Sequence, residues 1–167
     1  MSTVKPIIEL DDDQQALAEQ IAAARLALND YRGLKNNNIG HRSALELARD
    51  GVGGELAHEL MTGIKADLTI YDPAHHRLDF RGYDTVVNGW RIDVKCLTGP
   101  DLLVPEWQLL KHDDCDGYGF FLVRWPIYTF QGYVHRLVLH QEGTIDENYL
   151  AAPRLLKDTI HHKGRHA

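Results

Sequence analysis

The dipeptide Asn88-Gly89 lies between two runs rich in β-branched and aromatic residues, GYDTVV before it and WRIDVKC after it. A type I′ turn needs positive φ at both central residues, which asparagine and glycine tolerate best, so this pattern predicts a tight β-hairpin. A two-residue turn here pairs Val87 with Trp90 and thereby sets the register of both strands.

That register predicts two acidic residues facing each other. Asp84 lies opposite Asp93 with Cβ atoms about 4.5–5.5 Å apart, and Lys95 projects from the same face. Opposed carboxylates repel each other, which disfavours the pair in a purely structural hairpin. A divalent cation makes them a ligand pair, and hard oxygen ligands favour Mg²⁺ or Mn²⁺. The alternative interpretation is an exposed hairpin face with solvated charges.

Two helices are predicted before the hairpin. Acidic residues 11–13 can cap a helix over residues 14–30, and Ser43 with Glu46 forms a capping-box pattern for a second helix that ends at Gly63. Three glycines (Gly51, Gly53 and Gly54) are unfavourable inside that second helix, so another element is expected to approach its backbone closely there. The first helix carries an apolar stripe at helical spacing, consisting of Leu17, Ile21, Ala24 and Leu28.

Further strands are predicted around the hairpin. Alternation in ADLTIYD predicts a strand from about residue 66, and the apolar run YGFFLVRW (118–125) predicts a strand buried on both faces. Residues 129–139 resemble another strand. A short extended segment at 102–104 precedes a helix expected from Pro105 to about His112. This order of elements predicts an α/β or α+β fold around one sheet.

Composition narrows the class of protein. The chain has 167 residues, the length of one domain, with 44% hydrophobic and 25% charged residues, as in ordinary globular proteins. It has no apolar run near the ~18 residues of a membrane span, and its N-terminal residues lack the pattern of a signal peptide. Cys96 and Cys115 form no CxxC pair. We therefore expect a cytoplasmic protein with reduced thiols and no membrane partner.

The net charge is −6, from 18 basic and 24 acidic residues. This balance argues against a protein that coats nucleic acid by bulk electrostatic attraction. Acidic residues concentrate in the middle of the chain, over residues 66–116, which indicates either a solvated loop region or a carboxylate cluster that needs a cation.

Glu55 in a GELA helix, Asp84 after Tyr83, and Asp93-x-Lys95 on the next strand resemble the PD-(D/E)xK nuclease superfamily over residues 52–140. The resemblance implies a central mixed β-sheet flanked by helices, the restriction-endonuclease-like fold, and Mg²⁺-dependent cleavage of nucleic acid. It also implies site roles: Asp84, Asp93 and the Val94 carbonyl as metal ligands, Glu55 assisting at the metal directly or through water, and Lys95 orienting or activating the attacking water. Two positions depart from the motif, because Tyr83 replaces its proline and Asp93 its more usual glutamate.

The resulting expectation is a metal-dependent nuclease, a DNA endonuclease of the small stand-alone phage or resolvase type, that uses Mg²⁺ or Mn²⁺. A monomer and a homodimer are both compatible with the sequence. Gln108 and Arg42 are the expected substrate contacts, with Arg32 and Lys35 as further basic residues. The single predicted domain comprises an N-terminal helix and loop (1–40), a catalytic core (41–140) and a mobile basic tail (155–167).

Two alternatives stay open. The first keeps the fold without the chemistry, as a catalytically inactive nucleic-acid-binding or assembly module. The second is a zinc-stabilised interaction domain that uses Cys96, Cys115 and His112, although their spacing matches no standard zinc finger. Glu55-x-x-His58 matches one arm of a carboxylate-bridged di-metal site, but no second arm is present in the sequence.

Overall fold

The structure, a computed structural model, describes residues 4–31, 42–70, 83–99, 103–105, 114–142, 144–146 and 149–151. Its helices are α1 (Asp12–Tyr31), α2 (Ala44–Thr62) and α3 (Arg136–Glu142). Its strands are β1 (Ile7–Glu9), β2 (Thr85–Val87), β3 (Trp90–Leu97), β4 (Leu103–Pro105), β5 (Gly117–Arg124), β6 (Ile127–His135), β7 (Thr144–Asp146) and β8 (Tyr149–Ala151). Five strands form a mixed sheet in the order β1-β6-β5-β3-β2, and β4, β8 and β7 form a second sheet. The architecture is therefore α/β.

The hairpin has the predicted register. Val87 pairs with Trp90 and Thr85 with Ile92 across the antiparallel β2 and β3 strands. The turn residues Asn88 and Gly89 have φ of 49° and 81°, the positive values that a tight hairpin turn requires. The hairpin prediction is confirmed, and β3 reaches further than β2 because it continues to Leu97.

The centre of the sheet is β5. It runs parallel to β3 and antiparallel to β6, which makes the sheet mixed. Phe120 and Phe121 point to opposite faces and are both fully buried, as predicted for a strand covered on both sides. One face packs with Val104, Val134 and Leu139, and the other with α1 and α2.

Helix α1 packs on α2 through small residues. Ala18 and Ala22 are fully buried in a cluster that includes Val52 and Ala57 of α2. The predicted stripe is confirmed only in part, since Ile21 packs against this cluster but Leu17 is 38% exposed. Alanines let two helix axes approach closely, and this close approach selects the alanine face over the leucine face. The N-cap is as predicted, because the Gln14 N–H donates to the Asp11 carboxylate at 2.8 Å.

Helix α2 lies directly on β3 and β6. A Cβ added to Gly53 would lie 2.0 Å from the Tyr128 hydroxyl oxygen, and one added to Gly54 would lie 2.2 Å from the Cys96 sulfur. The predicted close approach is confirmed at these two glycines. The capping box that begins α2 and the left-handed Gly63 that ends it are also confirmed. Because Glu55 follows Gly54, this packing brings Glu55 against the sheet.

The strand predicted from residue 66 is absent, whereas the strand predicted over 129–139 is present as far as His135, as part of β6. Residues 66–70 form no strand, because side chains take their backbone donors: the Ala66 N–H donates to Glu59 Oε2 at 2.9 Å, and the Thr69 N–H donates to Asp67 Oδ1 at 3.1 Å. The strand predicted over 129–139 ends at His135, and α3 follows. The Arg136 N–H donates to the Asp116 carbonyl at 2.9 Å, which turns the chain away from β6.

Several predicted segments lie outside the described residues: the loop at 35–40, the turn at Asp72-Pro73, the helix after Pro105 and the tail at 155–167. Pro105 itself is the last residue of β4. No helix in the described part of the chain has the length and hydrophobicity that a membrane span needs.

Candidate active site

Asp84 is the residue directly before β2, and it forms hydrogen bonds with β3. Its N–H donates to the Ile92 carbonyl at 2.9 Å, and its Oδ2 accepts the Val94 N–H at 2.7 Å. These two contacts flank Asp93, and the charge of Asp93 acts on the Asp84 carboxylate, so the two acids are neighbours across the strand pair. Within the described residues, the Val94 N–H is the hydrogen-bond donor to this carboxylate.

Asp93 and Lys95 alternate along β3 and therefore share one face. The Lys95 ammonium lies 2.9 Å from Asp93 Oδ1 and 2.8 Å from Oδ2, and both side chains are less than one fifth exposed. Burial lowers the pKa of Lys95, but the charge and hydrogen bond of Asp93, with the charge of Asp84, raise it above its ordinary value. Lys95 is therefore a cation at neutral pH, able to orient a water or contact a phosphate.

Glu55 reaches the same region from α2 and is bound by Arg25 of α1. The Arg25 Nη1 donates to Glu55 Oε1 at 2.7 Å, and Nη2 donates to Oε2 at 3.2 Å. The Arg25 side chain is 29% exposed and that of Glu55 only 10%. This is the two-point arginine–carboxylate geometry, which is stronger and more directional than a single ion pair.

The electrostatics show an excess of negative charge. Burial, then the nearby carboxylates of Asp93 and Glu55, raise the pKa of Asp84 well above its ordinary value, against the opposing effect of Lys95 and the Val94 N–H. Burial also raises the pKa of Glu55, although Arg25 opposes it. Three carboxylates thus face two cationic side chains. A divalent cation would relieve this imbalance.

A narrow cleft lies between α2 and the hairpin, and in this conformation it has no space for a water molecule. Its lining residues are Glu55, His58, Ile64, Ala66, Asp84, Thr85 and Val94. The Thr85 hydroxyl is buried and has no hydrogen-bond partner in the described part of the chain. His58 Nε2 lies 2.9 Å from the Tyr133 hydroxyl oxygen, and burial lowers the pKa of His58 to about 4. His58 is therefore a neutral, buried side chain beside the cleft. The Thr85 hydroxyl also lies at the cleft and is not used by a hydrogen bond within the described residues.

The donors suit a hard divalent cation. Asp84 and Asp93 supply carboxylate oxygens, and the Val94 carbonyl points to the same strand edge as the Val94 N–H that Asp84 accepts. In this conformation Asp93 is bound to Lys95 and Glu55 to Arg25. Among the residues described, no three His, Cys, Asp or Glu side chains form a group that could hold a metal ion as they stand. Coordination therefore requires a carboxylate to move away from its cationic partner.

Glu55 and Asp84 line this cleft, each from the element that the sequence predicts. Asp93 and Lys95 do not line it, because they alternate along β3 with Val94 and Cys96, which face α2. The charge of Asp93 nevertheless acts on both Glu55 and Asp84. Arg42 lies elsewhere, at the start of α2, where it pairs with the buried Asp50. Gln108, Arg32, Lys35 and His112 lie outside the described residues.

Sequence reasoning missed two residues of the site, Thr85 and Arg25. Arg25 follows the buried Ala18 and Ala22 on one face of α1, at positions i, i+4 and i+7. A charged residue within a core-facing stripe needs a buried partner, and that is the signal that could have identified it.

The two cysteines do not form a joint site. Cys96 packs against Gly54 on the α1/α2 face of the sheet, whereas Cys115 belongs to the cluster on the other face. Burial raises the pKa of both thiols above the ordinary value, to about 12 for Cys115. Zinc binds the thiolate form, which these surroundings disfavour.

Comparison with known proteins adds no assignment to this geometry. The chain matches no protein-family model, no curated protein and no solved structure.

Proposed function

We propose that this chain is a metal-dependent nuclease of the PD-(D/E)xK type, with a restriction-endonuclease-like core, that hydrolyses phosphodiester bonds in DNA with Mg²⁺ or Mn²⁺. One observation carries the proposal: Asp84 is fixed against Asp93 at the open edge of β3, with the Lys95 ammonium on Asp93. Two partly buried acids placed together destabilise a hairpin, and a divalent cation bound between them removes this repulsion.

The residues have distinct roles in this proposal. Asp84, Asp93 and the Val94 carbonyl would hold the ion, which supplies Lewis-acid polarisation of the phosphate and a lowered pKa for water. The Val94 N–H keeps Asp84 in one orientation. Lys95, as an ammonium, orients the attacking water or offsets charge on the phosphate. Glu55 supports the site from α2 through a water.

Charge explains why a cation is needed for substrate binding as well. The chain carries a net charge of −6, and its candidate site contains more carboxylates than cations. A phosphate approaching that site is repelled until the carboxylates are neutralised. We therefore expect nucleic-acid binding at the site to depend on the divalent ion.

A second candidate function is a binding or assembly module with an inactive site. It is favoured by one specific observation: Lys95 and Arg25 already neutralise Asp93 and Glu55, so both acids are satisfied without metal. This module predicts no cleavage under any metal condition.

Cleavage assays test the proposal directly. The purified chain is incubated with single-stranded, duplex and branched DNA, and with RNA, in Mg²⁺, Mn²⁺ or EDTA. We expect cleavage with either metal and none with EDTA. Asp93→Asn and Lys95→Ala should each lower the rate by about 10²-fold or more, the usual effect of losing a metal ligand or water-positioning group.

Asp116→Asn is the matched control, because Asp116 is also a carboxylate bound to a basic residue, Arg91, at the same sheet. This variant should retain parental activity. The proposal fails if Asp93→Asn, purified a second time, still cuts at the parental rate. No cleavage by the parent on any of the substrates favours the inactive module instead.

A further inference from the structure

The arginine at the candidate site comes from outside the segment that resembles a nuclease core. Arg25 belongs to α1, whereas the resemblance begins at residue 52. Besides Glu55, the guanidinium also contacts the Asp67 carbonyl, at 3.3 Å from Nη2. Arg25 thus joins α1, α2 and the chain that follows α2.

Helix packing fixes the direction of this arginine. Ala18 and Ala22 are fully buried against α2, so α1 cannot rotate without losing that contact. Arg25 lies on the same face and faces Glu55 in this orientation. Both Glu55 oxygens accept its parallel N–H donors. The pair is therefore preorganised by the fold, unlike an ion pair between two exposed side chains.

Occupation of both oxygens has a chemical consequence for Glu55. A carboxylate that accepts an arginine at each oxygen has less electron density available for a metal, and the guanidinium charge repels a cation placed beside it. Asp84, by contrast, accepts a single neutral N–H. The three carboxylates of the site are thus unequal as metal ligands.

Resting on the metal site of the proposed function, we propose that Arg25 is a positioning residue that keeps Glu55 out of direct contact with the divalent ion. The direct carboxylate ligands are then Asp84 and Asp93, and Glu55 acts on the ion only through a bridging water. Removing Arg25 frees Glu55 to coordinate directly.

Binding of Mn²⁺ alone, without nucleic acid, tests this inference. Free Mn²⁺ is measured by electron paramagnetic resonance in titrations of the full chain and of the variants Arg25→Gln, Glu55→Gln and the double variant. We expect Arg25→Gln to bind Mn²⁺ about tenfold more tightly or better, through the released carboxylate and the lost repulsion. Glu55→Gln alone should change the Kd by less than about threefold. The double variant should lose most of the gain, since no carboxylate is released.

Two further variants keep the test decisive. Arg25→Lys retains the charge but not the two-point geometry, so it should bind Mn²⁺ more tightly than the parent and less tightly than Arg25→Gln. If Arg25→Gln does not fold, the Mn²⁺ titration of Arg25→Lys tests the inference in its place. Arg49→Gln is the matched control: Arg49 pairs with Asp50 on α2 and not with a carboxylate of the candidate site, and its loss should leave Mn²⁺ affinity unchanged.

Three results overturn the inference: a folded Arg25→Gln with parental affinity, a folded Arg25→Lys with parental affinity, or a gain that persists undiminished in the double variant. None of these touches the proposed function while the parent binds Mn²⁺ and Asp93→Asn does not. If the parent shows no Asp93-dependent Mn²⁺ binding, the proposed metal site itself is wrong, and the inference falls with it.

Discussion

At the edge of β3, the side chain of Asp84 completes the hydrogen bonding of the backbone. The Val94 N–H points to the side where β2 would continue, and Asp84 Oδ2 takes the place of a strand carbonyl. A buried N–H without an acceptor is costly, so this contact stabilises the hairpin as well as orienting the carboxylate. Asp84 therefore has a structural role besides the metal-binding role proposed for it. Substitution of Asp93 tests the proposed site without removing this structural contact.

His58 gives a residue-scale prediction about acid stability. It is buried beside the cleft, and burial lowers its pKa from 6.5 to about 4. The unfolded chain therefore binds a proton at a pH where the folded chain does not. The His58 contribution is fully present above pH 6.5 and is lost as the pH falls toward 4, by up to about 3 kcal/mol.

The variant His58→Gln removes this titration while keeping a hydrogen-bonding group near the Tyr133 hydroxyl. Urea unfolding at pH 7, 5.5 and 4 should show a shallower loss of stability for His58→Gln than for the parent. Tyr133→Phe is the control. It leaves His58 buried, so it should keep the parental slope. Equal slopes for parent and His58→Gln would contradict the assignment.

At the scale of elements, the contact between α2 and β3 decides where Glu55 lies. Gly54 faces the Cys96 sulfur at a separation that leaves no room for a methyl group. Gly54→Ala should gain up to about 1 kcal/mol in helix propensity but lose about 1–3 kcal/mol by overpacking. We expect a net decrease in the free energy of unfolding, measured by urea denaturation.

Gly51→Ala is the matched control, because nothing lies within 4 Å of a Cβ added at Gly51. This substitution in the same helix should stabilise the protein by about 0.5–1 kcal/mol. Adding Cys96→Ala to Gly54→Ala should recover part of the lost stability, since the clashing sulfur is removed. Equal stabilisation by both glycine substitutions would show that α2 does not press on β3.

The elements that the sequence predicts best are those specified by neighbouring residues. The Asn88-Gly89 turn and the Ser43 capping box depend on local backbone geometry, and both are present. The strand prediction fails at 66–70 and at α3 because the backbone donors there bind partners other than a neighbouring strand. These partners are the Glu59 and Asp67 side chains at 66–70 and the Asp116 carbonyl at Arg136. Alternating hydrophobicity carries no information about such partners.

The candidate site divides in the same way. The Asp84–Asp93–Lys95 arrangement follows from one hairpin register, and the sequence alone predicts it. Arg25 contacts Glu55 because α1 packs on α2, and the two residues are 30 positions apart in the sequence. Its position on the same helix face as Ala18 and Ala22 is the sequence feature that indicates a core-facing side chain.

For the whole molecule, the candidate site is a point where separate parts of the chain meet. Its acidic residues come from α2, from the residue before β2, and from β3, while its arginine comes from α1. Unfolding separates these parts and destroys the site. A ligand that binds only the folded arrangement therefore stabilises the entire fold.

This linkage predicts that Mg²⁺ raises the thermal stability of the parent. At a Mg²⁺ concentration of about ten times the Kd, the stabilisation is about 1.4 kcal/mol, which for a chain of this size raises Tm by about 3–6 °C. Asp93→Asn should lose this response. Asp116→Asn should keep the response but begin from a different Tm, because Asp116 pairs with Arg91 and not with a residue of the candidate site. Differential scanning calorimetry at constant ionic strength, with Na⁺ replacing Mg²⁺ in the reference, separates specific binding from screening. A Mg²⁺ response of equal size in Asp93→Asn would place the cation elsewhere on this acidic chain and would remove Asp93 from the site.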